Sequence, residues 1–172
     1  MDFISGCCTG NGARTLFYVW ENMIEFDNRR LKLHLLLNRA SPWADVDSYI
    51  PYEGQVEIRM KTSAGLEIRI PEWVKPQEVH CNVDGNPKEV GFRGRYALID
   101  QVEAGSQVAL TFPISEWTAQ ETIGNVSYTL VIRGNEVVSI DPPGKWQPFY
   151  QRAHYREGKV RRAKRERFVA VI

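Results

Sequence analysis

Cysteine and histidine are scarce in this chain of 172 residues, at three each. An odd cysteine count, with Cys7 and Cys8 adjacent, excludes the disulfide framework of a small secreted scaffold. No apolar run approaches the roughly 20 residues needed to span a bilayer. The opening stretch MDFISGCC carries Asp2 and no basic segment before a long apolar one, so it does not read as a secretory signal. Excess charge is missing too: the formal net charge is +1, which gives no global pull toward nucleic acid or membrane. These absences lead to the expectation of a soluble, cytoplasmic protein in a reducing compartment.

What charge there is sits unevenly. Seven basic residues lie between Arg156 and Arg167, opposed only by Glu157 and Glu166. A basic tail of this kind suits phosphates in principle, but no aromatic residue interleaves it, and a solvated terminal extension is the expected reading. The remaining composition, 43% hydrophobic and 25% charged, is that of an ordinary globular protein. The length suits one domain, or one domain with an appendage.

Two periodicities divide the chain. From Ala13 to Phe26, the residues Ala13, Leu16, Phe17, Trp20, Met23 and Ile24 follow helical spacing, with Tyr18 and Val19 widening the apolar face. Such a helix needs neighbours on more than one side. After Arg29 the period changes to two, and Leu31, Leu33, Leu35 and Leu37 read as one buried face of a strand. Further strands are expected at 55–61, 66–70, 78–83, 96–99, 107–112, 128–133 and 136–140. Asp84–Gly85–Asn86–Pro87 and Gly134–Asn135 read as turns, and Ser63–Ala64–Gly65 as a hairpin tip. Many short strands without intervening helices point to an antiparallel β-sandwich or jelly roll.

The adjacent thiols are the sharpest chemical feature. Zinc binds thiolates at about 2.3 Å and keeps them deprotonated, and the flanking Gly6 and Gly10 permit the bent backbone that two neighbouring ligands require. Two ligands do not make a site that takes four. Cys81 lies in an expected strand, and His34, His80 and His154 show no ligand spacing. On the residues alone, metal ligands and ordinary buried cysteines both remain open.

The stretch GCCTGNGARTLFYVWENMIEF, continued by LKLHLLLNRASPWADVDSYIPYEGQVEIRM, resembles the end of the catalytic barrel of glycoside hydrolase family 127 and its passage into a β-sandwich. LEIRIPEWV, with Arg69, Pro71 and Trp73, is similar to a recurrent strand end of that sandwich, and VEAGSQVALTFP and SYTLVIRGNEVVSIDPPG to later strands. The resemblance implies an (α/α)6 barrel followed by β-sandwich domains, and a retaining β-L-arabinofuranosidase activity. It divides the chain into a barrel remnant at 1–28, a sandwich at 29–144 and an aromatic, then basic extension at 145–172. It also implies that Cys7 is a nucleophile and zinc ligand and Cys8 a second ligand, with a glutamate and a further cysteine upstream completing the zinc site. Those upstream groups and the acid/base residue are not in this sequence. The chain is therefore expected to be inactive alone, with the carbohydrate substrate and the missing barrel, in cis or in trans, as its partners. Glu21 and Glu25, expected on the helix, are not assigned those roles.

Two other classes of function stay in view: a non-catalytic carbohydrate-binding sandwich and a structural or interaction domain. Trp43, Tyr49, Tyr52, Trp73, Trp117, Trp146, Phe149 and Tyr150 could stack on sugars, although large aromatics more often fill cores. The loop Ser41–Pro42–Trp43–Ala44–Asp45 is the exception best suited to a ligand or interdomain contact. His34 is expected to face solvent and Cys81 to be a small core residue.

Overall fold

The computed structural model describes residues 6–143, with side chains from Gly10 onward. The chain is mainly β, with one helix at the front. Helix α1 runs from Gly6 to Glu21, so it begins well before Ala13, where the helical apolar spacing starts. The helix also ends five residues earlier than its apolar spacing suggests. Asn22 closes it, its backbone N–H donating to the Tyr18 carbonyl at 3.1 Å and its side-chain amide to the same oxygen at 2.8 Å. Met23 and Ile24, which continue the helical spacing, are buried in the sandwich instead. Ile24 begins β1 (Ile24–Asp27), which Asn28 and Arg29, both at positive φ, fold back onto β2 (Arg30–Leu33). Two central residues with positive φ make the type I′ turn whose twist matches a hairpin. Thus the first strand begins inside the stretch 1–28. A four-residue strand carries too little alternation to compete with a helical pattern running into it.

The next strands are β3 (Arg39–Ala40), β4 (Ala44–Ser48), β5 (Gln55–Met60) and β6 (Ala64–Arg69). A 3-10 turn at Pro76–Glu78 leads to β7 (His80–Val83), β8 (Asn86–Pro87), β9 (Gly91–Arg93), β10 (Tyr96–Val102) and β11 (Gln107–Thr111). They form a five-stranded sheet, ordered β1-β2-β6-β10-β9, and a six-stranded sheet, ordered β3-β4-β5-β11-β7-β8. Pairing is antiparallel except between β2 and β6, which run parallel with Leu31 opposite Leu66 and Leu33 opposite Ile68. Ser63–Ala64–Gly65 is not a hairpin tip: β5 and β6 belong to different sheets, and Ala64 already faces the core. Asp84, at φ 52°, and Gly85 do form the β7–β8 turn.

Alternation supplies the core. Val56, Ile58 and Met60 of β5, Leu66 and Ile68 of β6, Ile99 of β10 and Leu110 of β11 are all buried in one cluster fed by both sheets. This is the sandwich. At about 25 cal/mol per Å² of apolar surface removed from water, such residues supply its main stabilisation. The leucine alternation holds for Leu31 and Leu33 and then breaks, since the strand ends at Leu33; Leu36 is buried and Leu37 exposed.

A second compact unit begins at Glu116, within the span 29–144. Its strands β12 (Glu116–Ile123), β13 (Val126–Arg133) and β14 (Glu136–Asp141) form an antiparallel meander, with Gly124 and Gly134 at positive φ in its two turns. The sequence reading passed over β12, in which no residue is buried, because it lacks the alternation that marks a half-buried strand. The segment 145–172, with its aromatic and basic residues, lies outside the described residues.

Candidate functional site

Helix α1 is the element on which the expected chemistry rests. Cys7 and Cys8 fall in its first turn, and their side chains lie outside the described residues. Among the described residues no group of three His, Cys, Asp or Glu could hold a metal ion. The described part of this chain therefore does not fit a zinc site by itself; at most two of the four ligands a structural zinc takes would come from Cys7 and Cys8. The third cysteine is no substitute. Cys81, on β7, is buried, and desolvation pushes its thiol up to about 11, with Lys88 opposing. A thiol held protonated at neutral pH is an inert core residue.

That shift has a stability consequence. The unfolded thiol ionises near its ordinary value of 9.0 and the folded one near 11. Between these values the unfolded state binds fewer protons, so this contribution to stability is complete below pH 9 and is lost as pH rises through 11. Urea titrations from pH 8 to 11 are expected to show a steeper alkaline loss for the native chain than for Cys81→Ala. Identical slopes would mean the thiol is not buried in this way.

Further along α1, Leu16, Phe17, Tyr18, Val19 and Trp20 are all exposed, Leu16 by 72%. An apolar helix face of this breadth needs a cover. Its sandwich end is held by Arg39 of β3. The Arg39 guanidinium donates to the carbonyls of Trp20 and Glu21 and lies 4.2 Å from the centre of the Trp20 ring. A cation at the helix C-terminus meets unpaired carbonyls and the negative end of the dipole, and the ring adds a cation–π contact. This clamp fixes where α1 leaves the sandwich, and a single arginine in a polar stretch gives no sequence signal for it. Arg39→Ala is expected to speed amide exchange in residues 10–21 by about tenfold, a change of about 1.4 kcal/mol, while core amides of β5 and β6 keep their protection. Unchanged exchange in α1 would show that the clamp holds nothing.

The loop Ser41–Asp45 is tied down locally. Ser41 Oγ donates to the Ala44 carbonyl at 2.6 Å and accepts from the Ala44 N–H at 3.0 Å, and Lys61 pairs with Asp45 at 2.6 Å. Trp43 stacks on Phe26, ring centres 5.3 Å apart, and packs against the core. Trp73 also packs there. Trp117, on β12, is 50% exposed and is the one tryptophan among the described sugar-stacking candidates that stands well clear of its surroundings. Trp146, Phe149 and Tyr150 lie outside the described residues.

Two polar clusters were not legible beforehand. Glu67, in the centre of the five-stranded sheet, is buried and meets Arg93 at 2.7 Å, Arg30 at 3.4 Å and Lys32 at 4.0 Å. On the same sheet His34 is bonded on both ring nitrogens, to Tyr96 Oη at 2.8 Å and Glu25 Oε2 at 3.1 Å. His34 is thus partly buried rather than solvent-facing, and Glu25 sits on β1, not on the helix. Their partners come from separate strands, with His34 just past the end of β2, so only the sheet order brings them together.

The architecture has clear counterparts. A glycoside hydrolase structure superimposes with a TM-score of 0.61 at 19% identity, covering 76% of this chain and 24% of its own. A family 127 β-L-arabinofuranosidase from Geobacillus stearothermophilus T6 gives 0.56 at 20% identity, covering 77% and 24%. A further family 127 β-arabinofuranosidase gives 0.56 at 15%, covering 77% and 26%. The chain shares the fold of part of these enzymes. It spans about a quarter of the length of each. No protein-family model matches the sequence, and a search of curated proteins finds no match.

Proposed function

We propose that this chain is the C-terminal part of a retaining glycoside hydrolase resembling the β-L-arabinofuranosidases of family 127, with catalysis belonging to the complete polypeptide. The observation that carries this reading is the fold match, which takes in three quarters of the chain but only a quarter of each enzyme. The exposed apolar face of α1 agrees with it, because Leu16, Phe17 and Trp20 call for a covering body.

In this reading Cys7 is the nucleophile. Its thiolate attacks the anomeric carbon, a C–S bond forms as the glycosidic C–O bond breaks, and an acid outside this chain protonates the leaving oxygen. Water then cleaves the C–S bond with retention of configuration. Cys7 and Cys8 would both be donors to a zinc ion whose other ligands come from residues this chain does not supply. Zinc, when bound, lowers the thiol pKa. Arg39 holds the far end of the same helix and so helps to set the direction in which α1 leaves the sandwich.

Turnover of an aryl β-L-arabinofuranoside, with zinc content measured in parallel, tests the proposal. The complete polypeptide is expected to hydrolyse it with retention and this chain alone is not. A complete polypeptide that contains no helical barrel, or that inverts configuration, would remove the reading.

A further inference from the structure

Two shallow depressions flank the 3-10 turn Pro76–Glu78, and both are lined by Gln77 and His80. The larger, of about 600 Å³, extends past Asn82 to Lys88, Glu89 and Phe92. The smaller, of about 440 Å³, runs toward Thr111 and Pro113. They share Gln77 and His80 and form one cleft, its larger part along β7 and β8 and its smaller part at the end of β11, which pairs with β7. None of the residues lining it belongs to α1.

The walls are fixed. Glu78 accepts from the Lys75 N–H at 2.9 Å, and the Glu78 N–H donates to the Lys75 carbonyl at 2.9 Å, so the turn carrying Gln77 is closed from both directions. On the opposite side the Lys88 N–H donates to the Cys81 carbonyl at 2.9 Å, which holds the strand leaving Pro87 against β7. A preformed wall spares a ligand the cost of ordering it.

The chemistry of the lining selects the ligand class. Gln77 and Asn82 each offer an amide with both donor and acceptor, and His80 adds a ring nitrogen. Among the described residues, none of these three side chains is engaged in a hydrogen bond or ion pair. Lys88 sits beside Glu89, and the other charged lining residue, Glu78, is held by the Lys75 N–H, so the cleft has no cluster of cations to draw an anionic ligand. Phe92 and Val90, both half-buried, supply an apolar strip between the polar groups. A neutral molecule that alternates hydroxyl groups with C–H faces fits this lining, and two joined depressions suit more than one ring. Both depressions are open to solvent, so a ligand there keeps one side in water, as hydroxyl groups tolerate.

We propose that this cleft binds a neutral oligosaccharide. The choice of sugar rests in part on the glycoside hydrolase reading; the amides, the apolar strip and the lack of a cationic cluster do not. The experiment titrates this chain, and its Cys7→Ala/Cys8→Ala variant, with neutral arabinotriose and xylotriose, reading binding by calorimetry and by amide chemical shifts. Both proteins are expected to bind equally, with shifts concentrated in residues 76–92 and a Kd on the order of 1 mM. Gln77→Ala and His80→Ala change exposed side chains and are each expected to weaken binding about fivefold at unchanged melting temperature. Absence of shifts in 76–92 at about 10 mM sugar, shifts confined to strands around Trp117, or tighter binding of a galacturonate trisaccharide would each overturn the proposal. Binding in the cleft by a chain whose complete form shows no turnover leaves this inference standing and removes only the catalytic one.

Discussion

Replacing Cys7 with alanine in the complete polypeptide is expected to lower turnover of an aryl β-L-arabinofuranoside by about four orders of magnitude or more. In the proposed reading Cys7 forms the covalent intermediate, and losses of that size follow removal of such a group. Cys8→Ala separates ligand from nucleophile: it is expected to reduce bound zinc and turnover together, whereas Cys7→Ser is expected to keep protein folded but leave a poor nucleophile. The decisive comparison is mass spectrometry of the enzyme with a slow substrate. A glycosyl adduct on the peptide containing Cys7 is expected in the native enzyme and absent from Cys7→Ala. Native-like turnover in Cys7→Ala would move the nucleophile elsewhere and end the assignment.

The largest expected loss of stability comes from Gly54→Ala. A Cβ at that position would lie 1.8 Å from the Phe112 carbonyl oxygen and 2.9 Å from its carbon. Neither atom can give way cheaply. The Phe112 N–H donates to the Gly54 carbonyl at 2.8 Å, and Phe112 itself is buried in the core. Relief therefore requires parting the start of β5 from the end of β11, which breaks that bond and opens the core beside it. A cost of about 3 kcal/mol or more is expected, with a melting temperature lower by on the order of 15 °C. Gly85→Ala is the control: its φ of 80° strains a side chain, but nothing lies within 4 Å, so only about 1 kcal/mol is expected. Equal melting temperatures for the two variants would show that the close approach at Gly54 is not present in solution.

How much of this could be read from the residues depends on whether the signal is local. The central strands β5, β10 and β11 were legible because Val56, Ile58 and Met60, or Val108 and Leu110, alternate with polar neighbours, and one buried face imposes that pattern. The Asp84–Gly85 and Gly134–Asn135 turns were legible because Asp84, Gly85 and Gly134 sit at positive φ, which those residue types adopt readily. The end of α1 was misplaced because Met23 and Ile24 satisfy either period, and burial in the sandwich decides between them. Strand β4 was not expected, and its first two residues fell in the loop Ser41–Asp45, since small and acidic residues, Ala44 and Val46 among Asp45 and Asp47, make a weak alternation beside Pro42 and Trp43. At the candidate site, Cys7 and Cys8 stood out as a pair. The Arg39 clamp and the cleft between Gln77 and Phe92 did not, because each joins residues that sequence spacing cannot bring together.

The parallel pairing of β2 with β6 has a consequence for how the body holds together. Between these neighbours the chain leaves for the other sheet, lays down β3, β4 and β5, and returns. It crosses again before β7, before β9 and before β11. Neither sheet is thus a continuous stretch of chain, and neither can be completed while the other is missing strands. Residues 24–115 should open as one cooperative unit, with protection from exchange lost together on both sheets. A cut anywhere in the crossing at Lys61–Ser63 would leave two pieces that each lack part of both layers, stable only when they recombine.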